Sequence, residues 1–179
     1  MAILPGTGAA PLDEAIIVAL GANLAGDYPS LEALLEAALA AFLRSGLTVA
    51  RRSGWWRSAA WPDPAAPAYL NGVAIVGTTS APRALMAGLL AIEAEFGRRR
   101  TEPNAPRTLD LDLIAYGRQV IDRPGMVVPH PRAHERLFVM GPLAEIAPDW
   151  IHPVLGATAA ELAATATVGR DAQPVVETR

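Results

Sequence analysis

The sequence contains no cysteine and no lysine, so all 15 of its basic residues are arginine. Without lysine, a Schiff base, a pyridoxal-phosphate linkage and a Walker-type phosphate loop are excluded. Without cysteine there is no thiol nucleophile, no thiolate metal site and no disulfide, so the fold rests on its apolar core. Aromatic residues are scarce at 6%, and there are three histidines. No run approaches the ~18 consecutive apolar residues of a membrane span. The first residues lack the basic region of a signal peptide, and Asp13 and Glu14 follow early. The expectation is a cytoplasmic protein without a membrane partner. A net charge of −3 argues against a general polyanion binder, though not against a local basic site. An alanine-rich, lysine-free composition is what codon bias produces, so the placement of the arginines says more than their number.

What is present is a succession of short periodic segments in 179 residues, a length that suits one globular domain. Residues 1–13 read as a loose leader, 14–168 as the single domain, and 169–179 as a flexible tail. Residues 15–20 form an apolar, β-branched run closed by Gly21, which predicts a buried strand. From Pro29 to Ser45, Leu31, Leu34, Leu35, Ala38, Leu39 and Phe42 recur at helical spacing, and Gly46 ends the helix. Residues 47–57 predict a second strand. Pro62, Pro64 and Pro67 make 58–68 an irregular loop. Residues 69–79 predict a third strand, and a second helix starts at Pro82 with Ser80 as a candidate cap. After an arginine-rich loop, residues 108–116 alternate strictly, and residues 119–122 read as the return strand of a hairpin through Gly117-Arg118. Short helices are expected around 136–146 and 158–165. This β-α-β-β-α-β order predicts an α+β fold: a ferredoxin-like split βαβ sheet with two helices on one face, an added hairpin strand and short C-terminal helices.

The sharpest chemical signal lies in the alternating strand. Asp110 and Asp112 are two residues apart, so both carboxylates share one face roughly 7 Å apart while leucines bury the other. Like charges so placed repel unless a cation lies between them, and Mg²⁺ takes one or two carboxylates plus phosphate oxygens and water. Arg98, Arg99, Arg100 and Arg107 precede the strand, supplying guanidiniums suited to phosphate oxygens. His130, Arg132, His134 and Arg136 add a second cationic segment. Asn71 offers a donor and an acceptor to a flat heterocycle, and Tyr69 and Phe138 are rings able to stack on it.

Pro106-Arg107-Thr108-Leu109-Asp110-Leu111-Asp112-Leu113-Ile114 resembles the signature of the 6-hydroxymethyl-7,8-dihydropterin pyrophosphokinases of folate biosynthesis. The resemblance runs from about Ala15 to Pro153. It includes Gly21-Ala22-Asn23-Leu24, Tyr69-Leu70-Asn71, Pro129-His130-Pro131-Arg132 and Pro142-Leu143-Ala144-Glu145-Ile146-Ala147-Pro148. It implies the ferredoxin-like fold and transfer of pyrophosphate from ATP to the pterin hydroxymethyl group, releasing AMP. Asp110 and Asp112 would hold two Mg²⁺, and Arg98 and Arg107 would join them as catalytic residues. Glu93, Arg98, Arg100, Arg107, Leu113, His130 and Arg136 fall on the ATP side; Ser58, Trp61, Tyr69, Asn71, Asp110 and Phe138 fall on the pterin side. The proton acceptor stays open between Asp110, a metal-bound hydroxide and solvent. Two departures stand out: the loop before the signature lacks the family's tryptophan, and Trp61 stands in the pterin wall. The expected partners are small molecules, with no nucleic acid, and the expected state is a monomer or weak homodimer. The alternatives are an RNA-binding ferredoxin-like module, against which the charge and the diacid argue, and a non-catalytic paralogue.

Overall fold

A computed structural model describes residues 11–97 and 109–176. Most of the leader, the arginine-rich loop with Arg98, Arg99, Arg100 and Arg107, and residues 177–179 lie outside the described residues.

The first strand, β1 (Ile16–Ala22), is apolar on both faces and is buried almost throughout. Helix α1 (Leu31–Arg44) starts where the Ser30 hydroxyl accepts a hydrogen bond from Ala33 N at 3.1 Å, a side-chain N-cap. Its stripe of Leu34, Leu35, Ala38, Ala41 and Phe42 is buried. The expected second strand is broken into β2 (Thr48–Arg52) and β3 (Trp56–Ser58), which both pair with β4 (Tyr69–Gly77). At the break, Ser53 Oγ accepts from Val73 N at 3.0 Å, and Trp55 packs over Gly72, where a Cβ would lie 2.6 Å from the ring. Helix α2 (Pro82–Glu95) has Ala81 at its cap position and no side-chain cap. Ser80 does not cap it; its carbonyl accepts from the Tyr116 hydroxyl at 2.6 Å instead.

The strand after α2, β5 (Asp110–Tyr116), completes an antiparallel sheet of order β5-β1-β4-β3, with β2 beside β3 on the same edge of β4. The expected return strand does not pair with β5. Instead β6 (Ile121–Arg123) and β7 (Met126–Val128) form a separate two-stranded sheet, turning at Gly125. A physical reason is visible on β5: Glu93 Oε1 takes Leu111 N at 2.7 Å, and Ile114 O takes His130 N at 2.9 Å. A returning strand would have to displace both.

Helices α1 and α2 cover one face of the sheet, over Val18, Leu20, Ala74, Val76, Leu111 and Leu113. Helices α3 (Leu137–Ile146) and α4 (Ala159–Thr165) pack on the other, against Ile17, Ala19, Val73, Ile114 and Ala115. A capping box between Thr158 and Glu161 starts α4. Glu145 of α3 accepts from Gly54 N (2.7 Å) and Trp56 Nε1 (2.9 Å), tying α3 to the break between β2 and β3. The chain past Gly169, expected to fray, instead adds β8 (Gln173–Pro174) to β3, with Ala172 buried beside it. The edge of β3 offers backbone groups there, and Trp55 O accepts from Val175 N at 2.8 Å.

Candidate active site

The strand register sets the floor of the site. Trp56, Asn71, Gly21 and Asp110 lie side by side across β3, β4, β1 and β5, and Val73, Ala19 and Asp112 form the adjacent row. Residues so paired share a face, which is the one that α3 and α4 cover. Their cover reaches the Trp56 and Val73 ends of these rows and leaves the aspartate end open. A register shift between Ile17 and Val18 turns both Ile114 and Ala115 into the core beneath α3, beyond the aspartates. Gly21 and Ala19 keep the floor low between Asn71 and the diacid. A Cβ on Gly21 would stand 3.4 Å from Asn71 Oδ1.

The resulting pocket is lined by Asp110 and Asp112 on one side and by Tyr69, Asn71, Ala59 and Trp61 on the other. Arg132 and Arg136 come in from the segment leading into α3, and Phe138 from its first turn. Asn71 is 6% exposed; its Nδ2 donates to Ser58 Oγ at 3.0 Å and to Trp56 O at 3.4 Å. The amide nitrogen is thereby committed, and the carbonyl side faces Gly21. Ser58 is buried behind Asn71 and orients it rather than lining the pocket. Trp61 is 61% exposed, with the Arg132 guanidinium 6.0 Å from its ring centroid. The Arg136 guanidinium stands 5.8 Å from the Phe138 ring.

Electrostatics separate the cationic groups. Burial lowers the pKa of Arg136, and the Asp112 carboxylate opposes that shift most strongly. Arg136 stays charged at all ordinary pH. His130 is lowered to about 4, by burial first and by the Arg136 charge second, against the pull of Asp110. Neutral His130 accepts from Arg132 N at its Nδ1 (3.2 Å), which leaves Nε2–H as a donor. Among the described residues no three acidic, histidine or cysteine side chains form a metal cluster. The carboxylates that could hold a metal here are those of Asp110 and Asp112.

Of the residues singled out from the sequence, Asp110, Asp112, Tyr69, Asn71, Trp61, Phe138 and Arg136 come together at this pocket. Leu113 does not: it is buried on the opposite face, among the residues covered by α1 and α2. Glu93 sits on that same side of the sheet, 2% exposed, and holds the backbone of Leu111 between the two aspartates. Arg98, Arg100 and Arg107 lie outside the described residues. Sequence reading missed Val168 and the floor residues Ala19 and Gly21, and noted Arg132 without assigning it a role. The small residues before Asn23 were a signal for the floor; Val168 had none.

The profile of the 7,8-dihydro-6-hydroxymethylpterin-pyrophosphokinase family matches residues 17–148, most of the chain. The chain belongs to this family. Its curated relatives include the 2-amino-4-hydroxy-6-hydroxymethyldihydropteridine pyrophosphokinase of Synechocystis, 44% identical over 82% of this chain and 73% of that protein. The protein of the same name from Pseudomonas aeruginosa is 42% identical, over 75% of this chain and 81% of its own length. Among solved structures, a Plasmodium falciparum HPPK-DHPS superposes with a TM-score of 0.67 at 11% identity, over 89% of this chain and 47% of that longer chain. That likeness concerns the fold. The family match ends at residue 148, before α4 and β8.

Proposed function

We propose that this pocket carries out the family's reaction, transferring an intact pyrophosphoryl group from ATP to the hydroxymethyl group of 6-hydroxymethyl-7,8-dihydropterin and releasing AMP. The observation that carries this reading is the shared pocket: a same-face aspartate pair stands across a two-residue floor from an oriented amide and two aromatic rings. One side suits metal-bound phosphates and the other a flat, hydrogen-bonding heterocycle.

Asp110 and Asp112 suit Mg²⁺, because their carboxylates are hard oxygen donors side by side on one strand, leaving room for phosphate oxygens and water. Two ions bound there would neutralise charge along the triphosphate. Arg136 offers a fork of N–H donors to phosphate oxygens, and neutral His130 adds an Nε2–H donor. Arg98, Arg100 and Arg107 complete the cationic side. Glu93 acts on this site by fixing β5 rather than by touching nucleotide. On the other side, Asn71 reads the edge of the pterin, Tyr69 and Phe138 take its faces, and Trp61 forms the outer wall. Catalysis of this kind is mostly positioning plus electrostatic stabilisation, so neither a lysine nor a thiol is required.

The strand order β5-β1-β4, with β2 and β3 beyond, supports the ferredoxin-like reading of the sheet. One sheet with helices on both faces supports a single domain. The cover of α3 and α4 over the second sheet face argues against RNA stacking there. No helix of the described residues is long and apolar enough to cross a membrane.

The experiment is incubation of the chain with ATP, the hydroxymethyldihydropterin and Mg²⁺, with nucleotide products separated. AMP in step with pterin pyrophosphate is expected, and omission of Mg²⁺ should stop it. ADP as the product would mean transfer of one phosphoryl group and a different reaction.

A further inference from the structure

The segment after α4 lies beyond the family match, yet it is bonded to two walls of the pocket. Leaving α4, it runs beside residues 135–137. Thr167 N and Val168 N both donate to Glu135 O, at 3.0 and 2.9 Å, and Leu137 N donates to Val168 O at 2.9 Å. Val168 thereby lines the pocket beside Arg136 and Phe138. Gly169 follows at φ 67°, a conformation that side-chain-bearing residues rarely adopt. It sits so close to the Phe138 ring that a Cβ there would collide with Cδ1. The chain then crosses to the opposite wall. Asp171 Oδ2 accepts from Ala59 N at 2.5 Å, and β8 pairs with β3 through Arg57. Ala59 lines the pocket two residues before Trp61.

We propose that residues 167–175 are a strap that positions the pterin pocket, with Gly169 setting the depth of the Phe138 ring and Asp171 holding the wall of Ala59 and Trp61. The proposal rests on the pterin-side assignment above. Neither residue touches the reacting atoms; each acts through a wall residue. The first part of the strap, at Thr167 and Val168, also braces the segment that carries Arg136, whereas Gly169 and Asp171 meet only Phe138 and the Ala59 wall, so substitutions at these two positions bear on one substrate rather than both. A carboxylate accepting a backbone N–H is a charge-assisted bond, and its loss frees the wall to shift.

Steady-state kinetics of Asp171→Ala, Asp171→Asn and Gly169→Val in the full chain, with both substrates varied, test this. Asp171→Ala should raise the pterin KM about three- to tenfold, with kcat and the ATP KM within about twofold of wild type. Asp171→Asn keeps an acceptor oxygen and should recover most of the loss. Gly169→Val should raise the pterin KM further, through backbone strain and displacement of Phe138. Thermal unfolding run alongside shows whether each variant folds; should Gly169→Val fail, the Asp171 pair still decides. An unchanged pterin KM in Asp171→Ala, or equal losses for both substrates, would overturn the strap. Absence of AMP with the wild type would instead overturn the pocket assignment, and this proposal with it.

Discussion

The two faces of one sheet have different tasks, and β5 shows both within seven residues. Leu111 and Leu113 point into the layer under α1 and α2, where β1 and β4 add Val18, Leu20, Ala74 and Val76. Asp110 and Asp112 point the other way, where cover by α3 and α4 is incomplete. A fully covered face can be uniformly apolar, because nothing there must meet water or a ligand. The partly covered face is apolar beneath the helices and polar where they end. Chemistry sits at that boundary, on strands that the opposite layer has already fixed. Glu93 links the two: it is buried on the side of α2, yet its hydrogen bond holds the backbone between the two aspartates.

Breaking the covered face should produce the largest change in stability and little change in chemistry. Phe42 is fully buried in that layer. Phe42→Ala should cost about 3–5 kcal/mol of unfolding free energy, read by denaturant titration. The folded fraction should keep the wild-type KM for both substrates. On the other face, Asn71→Ala should raise the pterin KM by about ten- to a hundredfold, since it removes the amide and leaves Ser58 without that partner. Its ATP KM should stay near wild type. Parallel titration of the second substrate checks the split.

The smallest expected effect concerns pH. His130 has a folded pKa of about 4, below its ordinary 6.5, because burial and the Arg136 charge oppose its protonation. The unfolded chain therefore takes up that proton first as pH falls. Stability from this residue is intact above about pH 6.5 and declines between there and about 4. His152 is lowered too, by burial and then by His134, so it adds a loss of the same sign. Urea midpoints measured from pH 7 to pH 4 should fall less steeply in His130→Gln than in wild type. An equal slope would separate His130 from the acid response.

The covered face was largely legible in the sequence, since helical spacing in α1 and α2 and strict alternation in β5 follow directly from burial on one side. So was the diacid, for the same alternation that buries Leu111 exposes Asp110 and Asp112. What was not legible depends on partners distant in sequence. Nothing in residues 47–57 signals the break at Ser53, which depends on Val73, Gly72 and Glu145. The return strand went astray because β5's edge is occupied by Glu93 and His130, from elements on either side of it in the chain. Leu113, carried to the ATP side by resemblance to a motif, is turned into the core by the alternation of its own strand. The strap past Gly169 reads as a tail because its anchors, Trp55 and Ala59, lie more than a hundred residues earlier.

The division between a face that holds the fold and a face that holds the substrates is tested most directly by Asp112→Asn, with AMP formation and thermal unfolding measured on the same preparation. The account predicts that AMP formation falls by at least about 10³-fold, since the metal site proposed at Asp110 and Asp112 would supply several kcal/mol of charge stabilisation. It also predicts that unfolding stays within about 1 kcal/mol of wild type, as for a surface change outside the core. Retained turnover, or collapse of the fold along with the activity, would contradict it.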